Sequence, residues 1–103
     1  MTPQDYLAVM TRIASSNKDI GDRLRLFRER WMGISGTAMA ERYNMRQSRY
    51  SNWENGQRRL SLDFAFQLYL EHGVTLDWLY LGREETLPHS VRMALGLITL
   101  DRR

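Results

Sequence analysis

Apolar residues recur along the chain at spacings of three and four, and no stretch of useful length alternates with a period of two. The pattern predicts helices throughout. A first helix starts at Thr2-Pro3, with Thr2 as N-cap, Pro3 at the first helical position and Asp5 closing a capping box. Tyr6, Leu7, Met10, Ile13 and Ala14 form its apolar stripe. "SSNKD" interrupts the pattern, and Asp19 is the expected cap of a helix with Ile20, Leu24, Phe27 and Trp31 on one face. Gly33 ends that helix. Ser35 caps a short helix through Tyr43, with Ala38, Met39 and Tyr43 facing inward. Asn44 stands where the chain must turn, and asparagine tolerates the left-handed conformation. Another helix runs to Asn55 and stops at Gly56, followed by the polar loop "GQRRL". Ser61 caps a helix to Glu71 or His72, ended by Gly73. Thr75 caps the next, which ends at Gly82, with Val74 and Leu79 placed as a hydrophobic staple. After "REETLP" a last amphipathic run, Val91, Ala94, Leu95 and Ile98, reaches the C-terminus.

The class is therefore all-α. The pattern divides the chain into an N-terminal helix and linker (1–18), a helical domain (19–82) and a partly helical C-terminal tail (83–103). The two end segments either pair protomers or pack on their own domain.

A length of 103 residues suits one domain. Apolar content of 43% and charged content of 26% are those of a soluble globular protein. No apolar run reaches membrane-spanning length and no secretion signal opens the chain, so no membrane association and a cytoplasmic location are expected. With no cysteine, disulfides and Cys-based zinc sites are excluded. His72 and His89 are the only histidines, and neither has a second plausible ligand beside it, so no metal or cofactor is expected. No glycine-rich phosphate loop, paired-carboxylate site or nucleophile-base set is present, and Glu84-Glu85 reads as a solvated pair. Catalysis is not expected.

Charge distribution says more than net charge. Between Ile20 and Leu60 there are nine arginines against four acids, whereas the rest of the chain holds six basic and eight acidic residues. Such a patch favours a polyanion, most often nucleic acid. Arginine outnumbers lysine 14 to 1, a bias that fits a need for bidentate forks but that a GC-rich genome gives on its own, so it does not by itself point to a function.

Inside that patch lies "NMRQSRYSNWENG", residues 44–56. At roughly 100° per residue, Tyr50 and Trp53 share one side of a helix while Ser48, Ser51 and Asn52 share the other. A face optimised for stability would carry alanine, lysine and glutamate; serine and asparagine compete for backbone hydrogen bonds. Arg46 stands near the helix N-terminus, where the macrodipole disfavours a cation. Local rules broken together mark a functional surface. Ala40 lies where two helices joined by a short turn cross closely, Asn44 supplies the turn, and Tyr50 and Trp53 follow as inward residues. This is helix-turn-helix spacing with the second helix presented outward.

At these residues the sequence resembles the phage-repressor and Cro-like (XRE-type) helix-turn-helix family. The likeness runs from "IGDRLRLFRER" through "SGTAMAERYNMRQSRYSNWENG" to "VTLDWLYLG", about residues 20–82. It implies a compact five-helix, lambda-repressor-like DNA-binding domain whose helices near 36–43 and 47–55 form the motif. By position, Gln47, Ser48 and Asn52 are the base-reading set, with Arg46 reaching a guanine edge or a phosphate. Arg49, Thr37, Arg58 and Arg59 are the phosphate contacts. Glu54 matches the family's glutamate that pairs with an arginine on the first helix, here Arg28. Members of the family usually act as dimers on two-fold operators of double-stranded DNA, with half-sites about 10 base pairs apart.

Several positions depart from the family. Gly36 replaces a glutamine that holds a phosphate, leaving Thr37 or the backbone N–H groups to substitute. Asn44 replaces the turn glycine, Tyr50 a β-branched aliphatic and Leu60 a proline, and "RWMGISG" is one residue longer than usual. The stretch after Gly82 is too short for a self-cleaving protease or ligand-sensing domain. The leading expectation is a dimeric repressor that reads a palindromic operator. The alternative is an antitoxin or anti-activator module whose main partner is another regulatory protein.

Overall fold

The computed structural model describes residues 2–5 and 15–98. The stripe from Tyr6 to Ala14 and residues 99–103 lie outside the described residues. At the N-terminus, Thr2 and Asp5 cap each other: the Asp5 N–H donates to Thr2 Oγ1 (3.1 Å) and the Thr2 N–H to Asp5 Oδ2 (3.2 Å).

Helix α1 spans Asn17–Phe27 and continues as a π-helical turn over Arg28–Met32. Its N-cap is Ser16, which accepts from the Asp19 N–H, while Asp19 Oδ2 accepts from the Ser16 N–H. The helix thus begins earlier than an Asp19 cap implies, because the reciprocal box satisfies two N–H groups where Asp19 alone would satisfy one. The wide turn closes with the Gly33 N–H donating to the Arg28 carbonyl at 2.8 Å. A π turn holds one residue more than an α turn, and Ile20, Leu24 and Phe27 ahead of it all stay on the core face.

Helix α2 (Gly36–Arg42) is capped by Ser35, and helix α3 (Gln47–Glu54) follows after Asn44, whose φ of 54° is left-handed as the turn requires. Helix α4 (Leu62–His72) is capped by Ser61 and helix α5 (Leu76–Leu81) by Thr75; Val74 and Leu79 are both fully buried across the start of α5. A 3-10 turn, Glu84–Thr86, leads to helix α6 (His89–Ala94). The sequence pattern carried this last helix to the C-terminus, but it stops at Ala94, and Gly96 takes a φ of 76°. Among the described residues no helix is long and apolar enough to cross a membrane.

One core joins these helices. Ile20, Leu24 and Phe27 of α1 meet Met39 and Ala40 of α2, Tyr50 and Trp53 of α3, Phe64, Ala65 and Leu68 of α4, and Trp78 and Leu79 of α5. Leu87, Val91 and Leu95 are buried in the same cluster, so the C-terminal segment packs on its own domain. Ala38, counted inward from sequence, is only half-buried; Ala40 takes the crossing point at 2% exposure.

Candidate nucleic-acid interface

Two aromatic rings fasten α3 from behind. Tyr50 and Trp53 are 1% and 5% exposed. Trp53 stacks on Phe64 with centroids 5.2 Å apart, and Tyr50 meets both rings edge-on at 6.3 Å. Edge-to-face and offset pairs add directional preference to apolar burial, so the rotation of α3 about its axis is fixed. That rotation leaves Gln47, Ser48 and Ser51 exposed and Asn52 half-buried on the far side.

The remaining end of α3 is pinned by α1. A Cβ built on Gly21 would lie 2.4 Å from the carbonyl oxygens of both Trp53 and Glu54, so the two helices touch backbone to backbone there. Gly56 makes a second close approach, with its would-be Cβ 2.9 Å from Lys18 Cα. Glu54, 5% exposed, is held by Arg28 through Nε at 2.7 Å and Nη2 at 2.9 Å, and by Arg25 Nε at 3.2 Å. Arg28 also donates from Nη1 to the Ile34 carbonyl at 2.9 Å. A fork shared between a carboxylate and the segment leading into α2 ties α1, α2 and α3 together. Burial pushes the Glu54 carboxyl up, but the Arg28 hydrogen bonds, the nearby Tyr50 hydroxyl and the Arg28 charge outweigh it, and the carboxyl sits below its ordinary range. The Glu54 hydrogen bonds hold the Arg28 guanidinium more firmly protonated than usual. The Tyr50 hydroxyl lies buried beside Glu54 without a well-directed hydrogen bond, and burial raises it far above the usual phenol value.

The starts of α1, α2, α4 and α5 each have a Ser or Thr side chain accepting a backbone N–H, whereas α3 begins at Arg46 with no side-chain cap and no acid in its first turn. Its first N–H groups therefore have no side-chain acceptor, and no acid in the first turn offsets their positive partial charge. Arg46 is exposed at that end. Along the flank of α3, Ser48, Arg49, Asn52 and Trp53 line one open hollow together with Arg58, Arg59 and Ser61 of the segment that follows. Arg49 lies over the Trp53 ring at 5.3 Å, and Arg59 over the Tyr80 ring at 5.4 Å while its Nη1 donates to Asn17 Oδ1 at 3.4 Å. Among the described residues none of Arg46, Arg49, Arg58 and Arg59 is within ion-pair distance of a carboxylate. Unpaired guanidinium groups around a polar helix face offer both charge and donor forks to a phosphate backbone.

The structure thus gathers Gln47, Ser48 and Asn52 on one outward face, with Arg46 at the helix start, Arg49 on its first turn and Arg58 and Arg59 in the loop beyond its C-terminal end. Thr37 is exposed on the first turn of α2. Three participants were not singled out from sequence. Arg25 shares Glu54, and its only signal was the spacing of three from Arg28. Ser61, read as a cap, also lines the hollow. Gly21 sits mid-helix in an amphipathic stretch, and an isolated glycine there flags a close approach.

A helix-turn-helix family model matches residues 24–79, more than half of the chain. No curated protein and no solved structure gives a significant match. The matched span runs from Leu24 of α1 through the two crossed helices to Leu79 of α5, the five helices that a lambda-repressor-like domain comprises. The chain belongs to the XRE-type, Cro-like helix-turn-helix family and is a DNA-binding transcriptional regulator.

Proposed function

We propose that the protein is a sequence-specific repressor that acts as a dimer, laying α3 in the major groove of a two-fold operator. The observation that carries this reading is the outward face of α3, where the described residues leave Gln47, Ser48 and Ser51 exposed and Asn52 half-exposed. Gln47 and Asn52 suit bidentate pairing with adenine, and Ser48 contacts either kind of base edge. Arg46 supplies a guanine or phosphate contact at the uncapped helix start. Arg49, Thr37, Arg58 and Arg59 hold the phosphates and set the register. In this reading Arg59 leaves Asn17 for a phosphate while keeping its stack on Tyr80. The Arg28–Glu54 pair acts at one remove, positioning α3. Residues 19–82 form the DNA-binding domain, with 1–18 and 83–103 as accessory segments. Repression needs only occupancy, since a protein seated on the operator blocks polymerase.

Selection of bound duplexes from a random pool, followed by gel-shift titration of Gln47→Ala and Asn52→Ala, tests the assignment. Each variant is expected to lose about 1–3 kcal/mol of discrimination at particular operator positions. Uniform weakening on every sequence contradicts the base-reading roles. The second reading, an antitoxin or anti-activator module, is favoured by one observation, an exposed apolar stripe on α4. Weak, sequence-blind binding in the same titration would support it.

A further inference from the structure

Helix α4 has two apolar sides. Phe64, Ala65 and Leu68 face the core. On the opposite side Leu62, Phe66, Tyr69 and Leu70 are 62%, 48%, 43% and 66% exposed. Their spacing of four, three and one puts them on a single stripe, and a helix apolar on both sides is one that expects a second cover. At ~150–250 Å² for a large side chain, the stripe exposes on the order of 450 Å². It borders a groove in which Phe66 and Tyr69 face Thr75, Leu76, Asp77 and Thr86. Asp63, Glu71 and Asp77 stand at its edges, and Arg83 is already paired with Asp77 and Glu85. An acidic rim repels a phosphate backbone, so this side does not extend the DNA surface. The stripe nevertheless begins where that surface ends, because Leu62 shares a hollow with Arg59, Leu60 and Tyr80.

We propose that this stripe is where two copies of the chain join. A standard interface buries about 800 Å² on each partner. The stripe supplies over half of that as an apolar centre, and its edge carries Gln67, Thr75 and Thr86 among the acids Asp63, Glu71 and Asp77. The patch is self-complementary about Phe66: with α4 antiparallel to its copy, Leu62 of one chain meets Leu70 of the other, as a two-fold contact requires. Its start beside the phosphate-facing loop keeps both loops close to the same axis. The use of this contact on an operator rests on the dimeric-repressor reading; the contact itself is tested without DNA.

Sedimentation equilibrium of the full chain is compared between the wild type, Phe66→Glu and Leu70→Glu. Phe66 and Leu70 are both exposed and outside the buried cluster, so neither change touches the core, and circular dichroism checks the helix content of each variant. A dimeric wild type is expected, with each variant raising the dissociation constant roughly 100-fold or more and leaving affinity for a single half-site duplex unchanged. A dimer that persists in both variants overturns the proposal. So does a wild type that stays monomeric through high micromolar concentration, which would leave the stripe to a different protein. If the variants dissociate but the wild type binds no duplex specifically, the interface stands and the operator reading falls.

Discussion

Replacing Gly21 by alanine isolates the contact that sets α3 against α1. The added methyl would lie 2.4 Å from two carbonyl oxygens, those of Trp53 and Glu54, and neither belongs to a side chain that can rotate away. Overpacking typically costs ~1–3 kcal/mol, and rigid backbone neighbours place this site at the upper end. Alanine returns up to about 1 kcal/mol through helix propensity. The net loss is then about 2 kcal/mol, or a fall in melting temperature of roughly 8–16 °C for a domain near 100 residues. Gly36→Ala is the internal control. It makes the same chemical change at the start of α2, where nothing lies within 4 Å of the new methyl and φ is not positive. It should stabilise by ~0.4–1 kcal/mol, chiefly by restricting the unfolded chain. Urea titration followed by tryptophan fluorescence measures both. Equal stability of Gly21→Ala and wild type, or matching signs for the two substitutions, would refute the backbone contact between α1 and α3.

Three further outcomes are expected. Glu54→Gln leaves Arg28 largely buried beside a neutral amide and should cost about 3–5 kcal/mol, as removing one partner of a buried pair does. Because the folded carboxyl is held below its unfolded value, its contribution is present above the ordinary glutamate range and disappears as pH falls through the folded pKa; a pH series of urea midpoints should therefore be flatter at the acid end in the variant. Arg58→Ala with Arg59→Ala should weaken binding to all duplexes alike and reduce the slope of log affinity against log salt by about 0.9 for every phosphate no longer neutralised, and a wild-type slope would remove both residues from the phosphates. His72 accepts a hydrogen bond from Trp31 Nε1 on its Nδ1 at 3.2 Å, and burial lowers its pKa. Protonation would set two N–H groups against each other, so stability should be full above the unfolded histidine pKa of about 6.5 and fall as pH drops through it; His72→Gln should remove that part of the profile.

Where the sequence was readable, the signal was local. Ser35, Ser61 and Thr75 cap helices a few residues downstream, Asn44 turns in place, and Val74 and Leu79 clamp a single turn of α5. Each of these is a relation among neighbours, which spacing and side-chain chemistry report directly. The "SSNKD" segment shows the limit of that reading, because several adjacent residues are acceptable caps and only the reciprocal bonding of Ser16 and Asp19 selects one. What escaped were contacts between distant parts of the chain. Arg25 reaches Glu54, Arg59 lies over Tyr80, and Arg23 Nε donates to the Leu79 carbonyl at 2.9 Å. No periodicity encodes which of several arginines on one helix will meet a given partner. The outward face of α3 was readable for a different reason: its composition was poor for stability, and that conflict survives without knowing any contact.

The widened end of α1 has a practical bearing on grafting. A chimera joined upstream of Gly33 has to keep the wide turn over Arg28–Met32, because an ordinary α turn there holds one residue fewer and would put the junction out of phase with Arg28 and its hold on Glu54. Splicing downstream of Gly33 avoids the problem, since the surplus residue then stays with the half that already accommodates it.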